Sequence, residues 1–399
     1  MNKQPETDLL APAFLEAMLA AHAPHQTVRV LSVVPFPLDN SASILVTLTA
    51  GQSTKTIGHF GLTVTLDVDG ERQVHDMVLK VKPNGREISA MLASLAVACG
   101  GELAAVYPSV ATRTGFQHTH KRELEVCQLP AADPIVRIWG TYADDEAEVY
   151  CVLMEYLQDV TLLNSVMAPH AWTDQHLRTA LTQLATWHAR YLTTGASVPS
   201  WLDIPSAAYM QEMSPLWAAL LTNAATHFPD LYTTERTELL RAAIQQIPSY
   251  WAWQANRPKT LIHNDLNPRN TCFKMQHNAL HLCAYDWELA TYQVPSYDVV
   301  ELLCFVLTED RYHLRHEYLE HYRQVLHNLT GHYADAAAFR REVGYAALDF
   351  GLHRLGLYLM AHAVSPYPFL PRVVNSYFDT LAQLLEPSWA QPVAVVEFQ

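Results

Sequence analysis

The sequence predicts an α+β fold in two lobes, a small lobe built on an antiparallel sheet and a larger, mainly helical lobe. Two patterns lead to it. Short runs rich in Val, Leu, Ile and Thr, bounded by turn formers, crowd residues 28–154, whereas apolar residues recur at helical spacing through 158–386. Strands segregated from helices in this way give separate layers rather than an alternating parallel sheet, and hairpin-length strands favour antiparallel pairing. With 399 residues, half of them apolar and 17% charged, the chain is long enough to bury a core in each lobe. Residues 1–154 read as the N-lobe, 155–158 as a hinge and 159–399 as the C-lobe.

Each element has its own signal. Leu9, Leu10, Phe14, Leu15, Met18 and Leu19 share helical spacing and open the chain with a helix over 9–22. Strands are expected at 28–34, 44–49, 62–68 and 77–81, with Asp69-Gly70 turning between the last two. The segment 50–61 holds Gly51, Gly58 and Gly61, which either let the backbone approach a bound phosphate or simply close a hairpin. Alternation along the next strand puts Val78, Lys80 and Lys82 on one face and Leu79 and Val81 on the other. A helical run over 86–98 ends at Gly100-Gly101, and another helix begins near Thr119. Strands at 135–139 and 149–154 flank the acidic turn 144–148. In the C-lobe, Leu177, Leu181, Leu184, Ala185 and His188 share a helix face, which makes His188 a core histidine. Further helices are expected at 209–224, 233–247, 311–328, 336–363 and 371–386, and Ser296 or Asp298 is placed to cap a helix. Trp201, Trp217, Trp251 and Trp253 read as core aromatics rather than pocket walls.

Composition excludes several classes. Lys plus Arg number 26 against 40 Asp plus Glu, a net charge of −14, so the chain lacks the basic surface that nucleic-acid phosphates demand. The six cysteines include no Cys-x-x-Cys pair and read as reduced core thiols. His118 and His120, either side of Thr119, read as exposed. No apolar run reaches membrane length, and Glu16 interrupts the apolar stretch near the N-terminus, so a cytoplasmic protein without a membrane partner is expected. Nothing in the sequence selects an oligomeric state.

The rest of the chain is organised around residues 260–274. The polar loop His263-Asn264-Asp265-Leu266-Asn267-Pro268-Arg269-Asn270 lies between short apolar runs, and Leu280, Leu282 and Ala284 then deliver Asp286. Polar side chains on a loop held by strands mark a site. Their chemistry fits phosphoryl transfer: Asp265 accepts the proton of an attacking hydroxyl, while Asn270 and Asp286 offer the hard oxygens that Mg²⁺ prefers. The bland alternative makes Asp265 and Asn267 turn formers before Pro268, and Asp286 a buried cap. It accounts for each residue singly but not for the ordered set.

His263-x-Asp265 followed by Asn270, and then Asp286-Trp287-Glu288, resembles the aminoglycoside phosphotransferase and choline kinase superfamily, including its ecdysteroid-kinase-like branch. The resemblance implies a protein-kinase-like fold and ATP- and Mg²⁺-dependent transfer of a γ-phosphate to a hydroxyl of a small molecule. It makes Lys80 the strand lysine that draws in phosphates, with Lys82 the runner-up, and Glu123 its helix partner, with Glu125 and Glu102 as alternatives. Val126-Cys127 departs from the family's bulky aromatic pair. Glu155, Tyr156 and Leu157 become hinge residues whose backbone meets adenine, Glu288 an acid near the metal, and Arg269 a positive charge near the transferring oxygens. Asn264 stands where many relatives have Gly, a change that alters the loop if the position needs positive φ, which Asn tolerates better than most residues. Asp349-Phe350-Gly351 spells the protein-kinase metal triplet, but it lies inside an apolar helical run and is given no metal role. The competing function is a non-catalytic nucleotide-binding module of pseudokinase type. Retention of Asp265, Asn270 and Asp286 together argues for catalysis.

Overall fold

The computed structural model describes residues 8–38, 56–130, 134–192 and 204–385. The strand expected at 44–49, Gly51 and Trp201 fall outside these residues. The N-lobe is a five-stranded antiparallel sheet in the order β1–β2–β3–β5–β4. Its strands are β1 (Val28–Phe36), β2 (Gly58–Val68), β3 (Glu71–Lys82), β4 (Ile138–Asp144) and β5 (Val149–Glu155). Asp69 and Gly70 both have positive φ, 53° and 88°, which suits the tight turn joining β2 to β3.

Alternation then does the sorting. Met77, Leu79 and Val81 of β3 join Leu62, Val64 and Leu66 of β2 beneath α1 (Pro12–His22), which contributes Leu15, Met18 and Leu19. A Cβ on Gly140 would sit 2.8 Å from the Met18 carbonyl, so glycine is what lets α1 lie against β4. The other face carries Val152 and Met154 against Leu124 and Cys127, with Cys272 and Cys283 arriving from the C-lobe.

Between β3 and β4 run α2 (Gly85–Cys99), α3 (Gly101–Val110) and α4 (Thr119–Cys127). Asn84 starts α2 with a capping box: its side chain accepts from Arg86 N–H at 2.9 Å, and Glu87 accepts from Asn84 N–H at 2.8 Å. The α3 helix went unread in the sequence because a glycine opens it and Pro108 interrupts it. Ile88, Leu92, Leu103 and Tyr107 of α2 and α3 bury themselves in the same cluster as Leu220 and Met360 of the helical lobe. The long insertion therefore crosses to the C-lobe, the surface with room for its apolar faces, and returns as α4. His120 corrects an expectation. It is buried, and its Nδ1 accepts from Gly85 N–H at 2.9 Å, with burial pushing its pKa down to about 4. A ring that caps the neighbouring helix start has no reason to face water.

The C-lobe follows with β6 (Val160–Thr161), α5 (Asp174–Arg190), α6 (Ala207–Glu212), α7 (Ser214–His227), α8 (Thr234–Gln245) and α9 (Ile247–Gln254). The helix expected at 209–224 divides in two, because Pro215 lacks the N–H an uninterrupted helix needs and instead opens α7; Pro248 likewise opens α9, which lies beyond the helix expected at 233–247. Next come β7 (Thr260–Ile262), β8 (Thr271–Gln276), β9 (Ala279–Ala284) and β10 (Thr291–Gln293). The chain closes with α10 (Ser296–Val306), α11 (Arg315–Thr330), α12 (Ala336–Phe350), α13 (Gly356–Val364) and α14 (Leu370–Leu384). Small sheets β6–β8–β9 and β7–β10 carry the motif residues. All six cysteines are free. Among the described residues no helix is long and apolar enough to cross a membrane.

Asp349 sits at the end of α12, buried, and accepts from Tyr250 Oη at 2.8 Å, Trp251 Nε1 at 3.0 Å and Gln254 Nε2 at 3.2 Å. It ties α9 to α12. Burial pushes its carboxyl up to about 6 from 3.8 in spite of these donors. A folded-state acid pKa above the unfolded one means the native state binds the extra proton, so stability falls as pH rises from about 4 through about 6, by on the order of 2–3 kcal/mol. Asp349→Asn should remove that slope and stabilise the protein above pH 6, since the buried, unpartnered Gln254 Oε1 can then turn to accept from the new amide. Thermal melts of both proteins across this range check it. Parallel slopes would refute it.

Candidate active site

The polar loop is held from below. Asp298, in the first turn of α10, accepts from the backbone N–H of His263 at 2.7 Å and of Asn264 at 2.9 Å. It thus caps this loop and not its own helix, whose N-cap is Pro295 with no side-chain bond, a correction to the expected helix cap. The loop's two amides outcompete the helix end because, away from water, Asp298 is their acceptor. His188 is the core histidine expected, with Nε2 3.3 Å from Asp298 and Nδ1 2.6 Å from the Tyr322 hydroxyl. Asn264 has φ 62°, and its side chain donates to Leu289 O at 2.9 Å, so the residue that replaces glycine supports the left-handed turn.

Asp265 is buried, and its carboxylate is saturated with donors. Oδ1 accepts from Arg354 Nη2 at 2.6 Å, from the Tyr358 hydroxyl and from Asn267 Nδ2 at 3.2 Å; Oδ2 accepts from Asn270 Nδ2 at 2.8 Å. Burial alone would raise its pKa, but Arg354 and Arg269 beside it more than offset this and hold it below the usual carboxylate range. Asn270 meets Asp265 through its amide nitrogen, which also donates to Asp265 O at 2.9 Å. The two carboxylate sites are still close along the chain pairing, because Tyr285 N–H donates to Asn270 O at 3.0 Å and Asp286 follows directly.

Asp286 belongs to a second, buried cluster. Lys80 Nζ lies 2.9 Å from both Glu123 oxygens and 2.5 Å from Asp286 Oδ1, while Lys82 Nζ bonds Glu123 and lies 2.9 Å from Glu288 Oε2. Both lysines that the strand alternation set on one face therefore reach Glu123, and Glu125 and Glu102 are exposed. Glu123, Asp286 and Glu288 each offer an oxygen within 4.8 Å of the others. That is a hard-oxygen set a Mg²⁺ ion fits. Burial works against the Asp286 and Glu123 charges, but the two ammoniums override it and depress both pKa values. Asp286 itself has φ 67°, a strained conformation for a non-glycine residue that the surrounding ion pairs hold in place.

Of the hinge residues, Glu155 N–H donates to Arg137 O at 2.9 Å and Tyr156 N–H to Asp76 O at 3.1 Å, which leaves neither amide free for a nucleotide base in this conformation. The Glu155 side chain pairs with Lys274 at 2.8 Å. Half-buried Val78, Leu157, Val160 and Tyr285 surround Met154 and Cys272 where the two lobes meet.

Three residues escaped sequence reading. His59 on β2 stands directly across from Lys80 of β3, and burial together with Lys80 lowers its pKa to about 4. The Gly58-His59-Phe60-Gly61 context held that signal. Arg354 and Tyr358, four apart on one helical face, were legible only as polar residues in an otherwise apolar run.

No protein of curated function matches the chain by sequence. Among solved structures it is similar to a choline kinase of Cryptosporidium parvum, at 10% identity and TM-score 0.46 over 89% of this chain and 88% of that one. It is similar also to a Plasmodium vivax ethanolamine kinase, at 11% identity and TM-score 0.41 over 91% and 84%. A third is an aminoglycoside phosphotransferase of Streptomyces rimosus in complex with ADP and streptomycin, at 15% identity and TM-score 0.39 over 78% and 98%. These values carry no reading of substrate. The sequence profile of the phosphotransferase enzyme family matches residues 65–339, a span that runs from β2 through the polar loop and Asp286 into α12. The two-lobed chain therefore belongs to the phosphotransferase enzyme family.

Proposed function

We propose that this protein transfers the γ-phosphate of ATP to a hydroxyl of a small molecule, with Mg²⁺ as cofactor. The observation that carries the reading is the placement of Asp265 with Asn270 on one side of a single backbone bond, Tyr285 N–H to Asn270 O, and of Asp286 with Lys80 and Glu123 on the other. A base and a phosphate-charge cluster so juxtaposed supply positioning and electrostatics, which is most of what phosphoryl transfer asks of a protein.

Each residue then has a task. Asp265 orients the acceptor hydroxyl and takes its proton. Lys80, held by Glu123, binds phosphate oxygens. Asp286 and Asn270 are the residues assigned to hold Mg²⁺, with Glu288 nearby; when bound, the ion neutralises charge developing on the phosphates. Lys80 must release Asp286 for this, and Glu123 remains as its partner. The half-buried apolar residues at the hinge, Leu157 among them, form the surface against which the base stacks, alongside Glu155 and Tyr156. A cytoplasmic location accords with the free thiols.

The test is ADP release from Mg-ATP in the presence of pooled hydroxylated metabolites, with Asp286→Asn as comparison. Acceptor-dependent ADP release that collapses in the variant is the expected result. Thermal stabilisation by ATP without acceptor-dependent turnover would replace this reading with that of a non-catalytic nucleotide binder.

A further inference from the structure

We propose that the acceptor alcohol carries an oxyanionic group, carboxylate or phosphate, gripped by Arg269 and Arg354, and that cationic alcohols are rejected. This rests on the reading of Asp265 as the base of a phosphotransferase.

The two oxygens of Asp265 face different things. Oδ2 meets Asn270, the residue bonded to Tyr285 next to Asp286, and so looks toward the phosphate cluster. Oδ1 meets Arg354, from the turn between α12 and α13, and Tyr358, from the first turn of α13, both on the far side. Groups at Oδ1 therefore line the acceptor's side. That turn is a single π-helical turn, Gly351–Leu355, a feature that recurs at functional sites. A Cβ on Gly351 would fall 1.8 Å from the Tyr377 hydroxyl, so only glycine lets the turn sit deep enough to aim Arg354 inward.

Charge on this side does not balance. Arg354 is buried, and Arg269 Nη2 lies 4.0 Å from the same Asp265 Oδ1. Arg269 is fixed by stacking over Tyr358, at 5.0 Å, and Phe369, at 5.7 Å, and by its bond to the Tyr358 hydroxyl at 2.6 Å. Two guanidiniums thus share one carboxylate. The other acid within reach, Glu301, is fully buried, accepts only from Asn267 at 3.3 Å through Oε1, and leaves Oε2 without a partner. Burial and the Asp265 charge hold its carboxyl well above the usual range, and it makes no ion pair with Arg269 or Arg354, both of which pair with Asp265. Arg354 Nε is also buried and unpartnered. A surplus positive charge out of water is costly until an anion joins it. The guanidinium fork matches carboxylate or phosphate oxygens in pairs, and a second cation would be repelled at the same place.

In the reaction, the acceptor oxygen forms its bond to the γ-phosphorus as the bond from phosphorus to the leaving nucleoside diphosphate breaks. The electron pair departs with the diphosphate and the hydroxyl proton goes to Asp265. The oxyanion takes no part beyond anchoring.

Four alcohols of one three-carbon frame test this: glycerate, glycerol 3-phosphate, glycerol and 3-amino-1,2-propanediol, assayed with Mg-ATP by ADP release and phosphorus NMR of the product. We expect kcat/KM for at least one anionic alcohol to exceed that for glycerol by about tenfold or more, the return of one charged hydrogen-bonded contact, with the amine lowest. Arg269→Met, at a partly exposed side chain, should shrink the anionic-to-neutral ratio toward one, and Arg354→Lys should retain part of it where Arg354→Met does not fold. Preference for the amine, equal use of all four, no product from any of them, or a ratio unmoved in Arg269→Met overturns the assignment. ATP hydrolysis to water without any alcohol, lost in Asp265→Asn, reports on the phosphotransferase reading separately. Its persistence alongside a failed alcohol series would sink the acceptor class alone.

Discussion

Asp265→Asn should lower kcat by about 10²–10⁴-fold, the range a positioned general base supplies, and change the Kd for ATP far less. Lys80 keeps its bonds to Glu123 and Asp286, so any loss of ATP affinity comes through Asn270. Stability will not escape. Arg354 donates to Asp265 at 2.6 Å in a buried setting. An amide keeps an acceptor for Arg354 but loses the charge, and its new donor faces the Asn270 amide nitrogen, which must turn over. A buried cation left without its anion typically costs about 3–5 kcal/mol, and the retained acceptor keeps this case at or below the lower end. The measurement pairs steady-state kinetics with a melt of the same sample. A kcat within about threefold of wild type would remove Asp265 from the base's role. Because Arg354 and Arg269 depress its pKa, Asp265 stays ionised throughout the neutral range, so its titration should not bend the pH–rate profile between about 6 and 8.

Glu123→Gln is the largest expected loss of stability, about 3–5 kcal/mol, because one carboxylate serves two buried ammoniums and its removal strands both. Lys80 keeps Asp286 and Lys82 keeps Glu288, which sets the upper bound. Two further results separate this from a general packing defect. Lys82→Met combined with Glu123→Gln should be more stable than the sum of the single changes, since deleting one stranded cation relieves part of the penalty. Saturating Mg-ATP should also recover stability in Glu123→Gln through binding to the folded state. Additive melting shifts with no response to Mg-ATP would mean that the cluster is structural and unconnected with phosphate binding.

Legibility of the fold followed periodicity. Alternation in β3 put Lys80 and Lys82 on one face, and both indeed turn to α4 while Leu79 and Val81 enter the core beneath α1. Most helices were readable and their division was not: Pro215 breaks the helix expected at 209–224, and Pro248 opens α9 just past the one expected at 233–247. The α3 helix, with Gly101 and Pro108, had its own propensities against it and is held by what Leu103 and Tyr107 bury into.

By itself the sequence determined the order of Asp265, Asn270 and Asp286 and the polar character of their loop, because spacing along one short segment fixes which atoms that segment can present. Tertiary structure alone decided that Asp298 caps the loop instead of its helix, that His59 faces Lys80, and that Arg354 and Tyr358 close on Asp265 from some ninety residues away. Those contacts arise where separate elements meet. A charge buried at such a junction must find a partner, and the partner's position in the chain is set by packing, which no local pattern records.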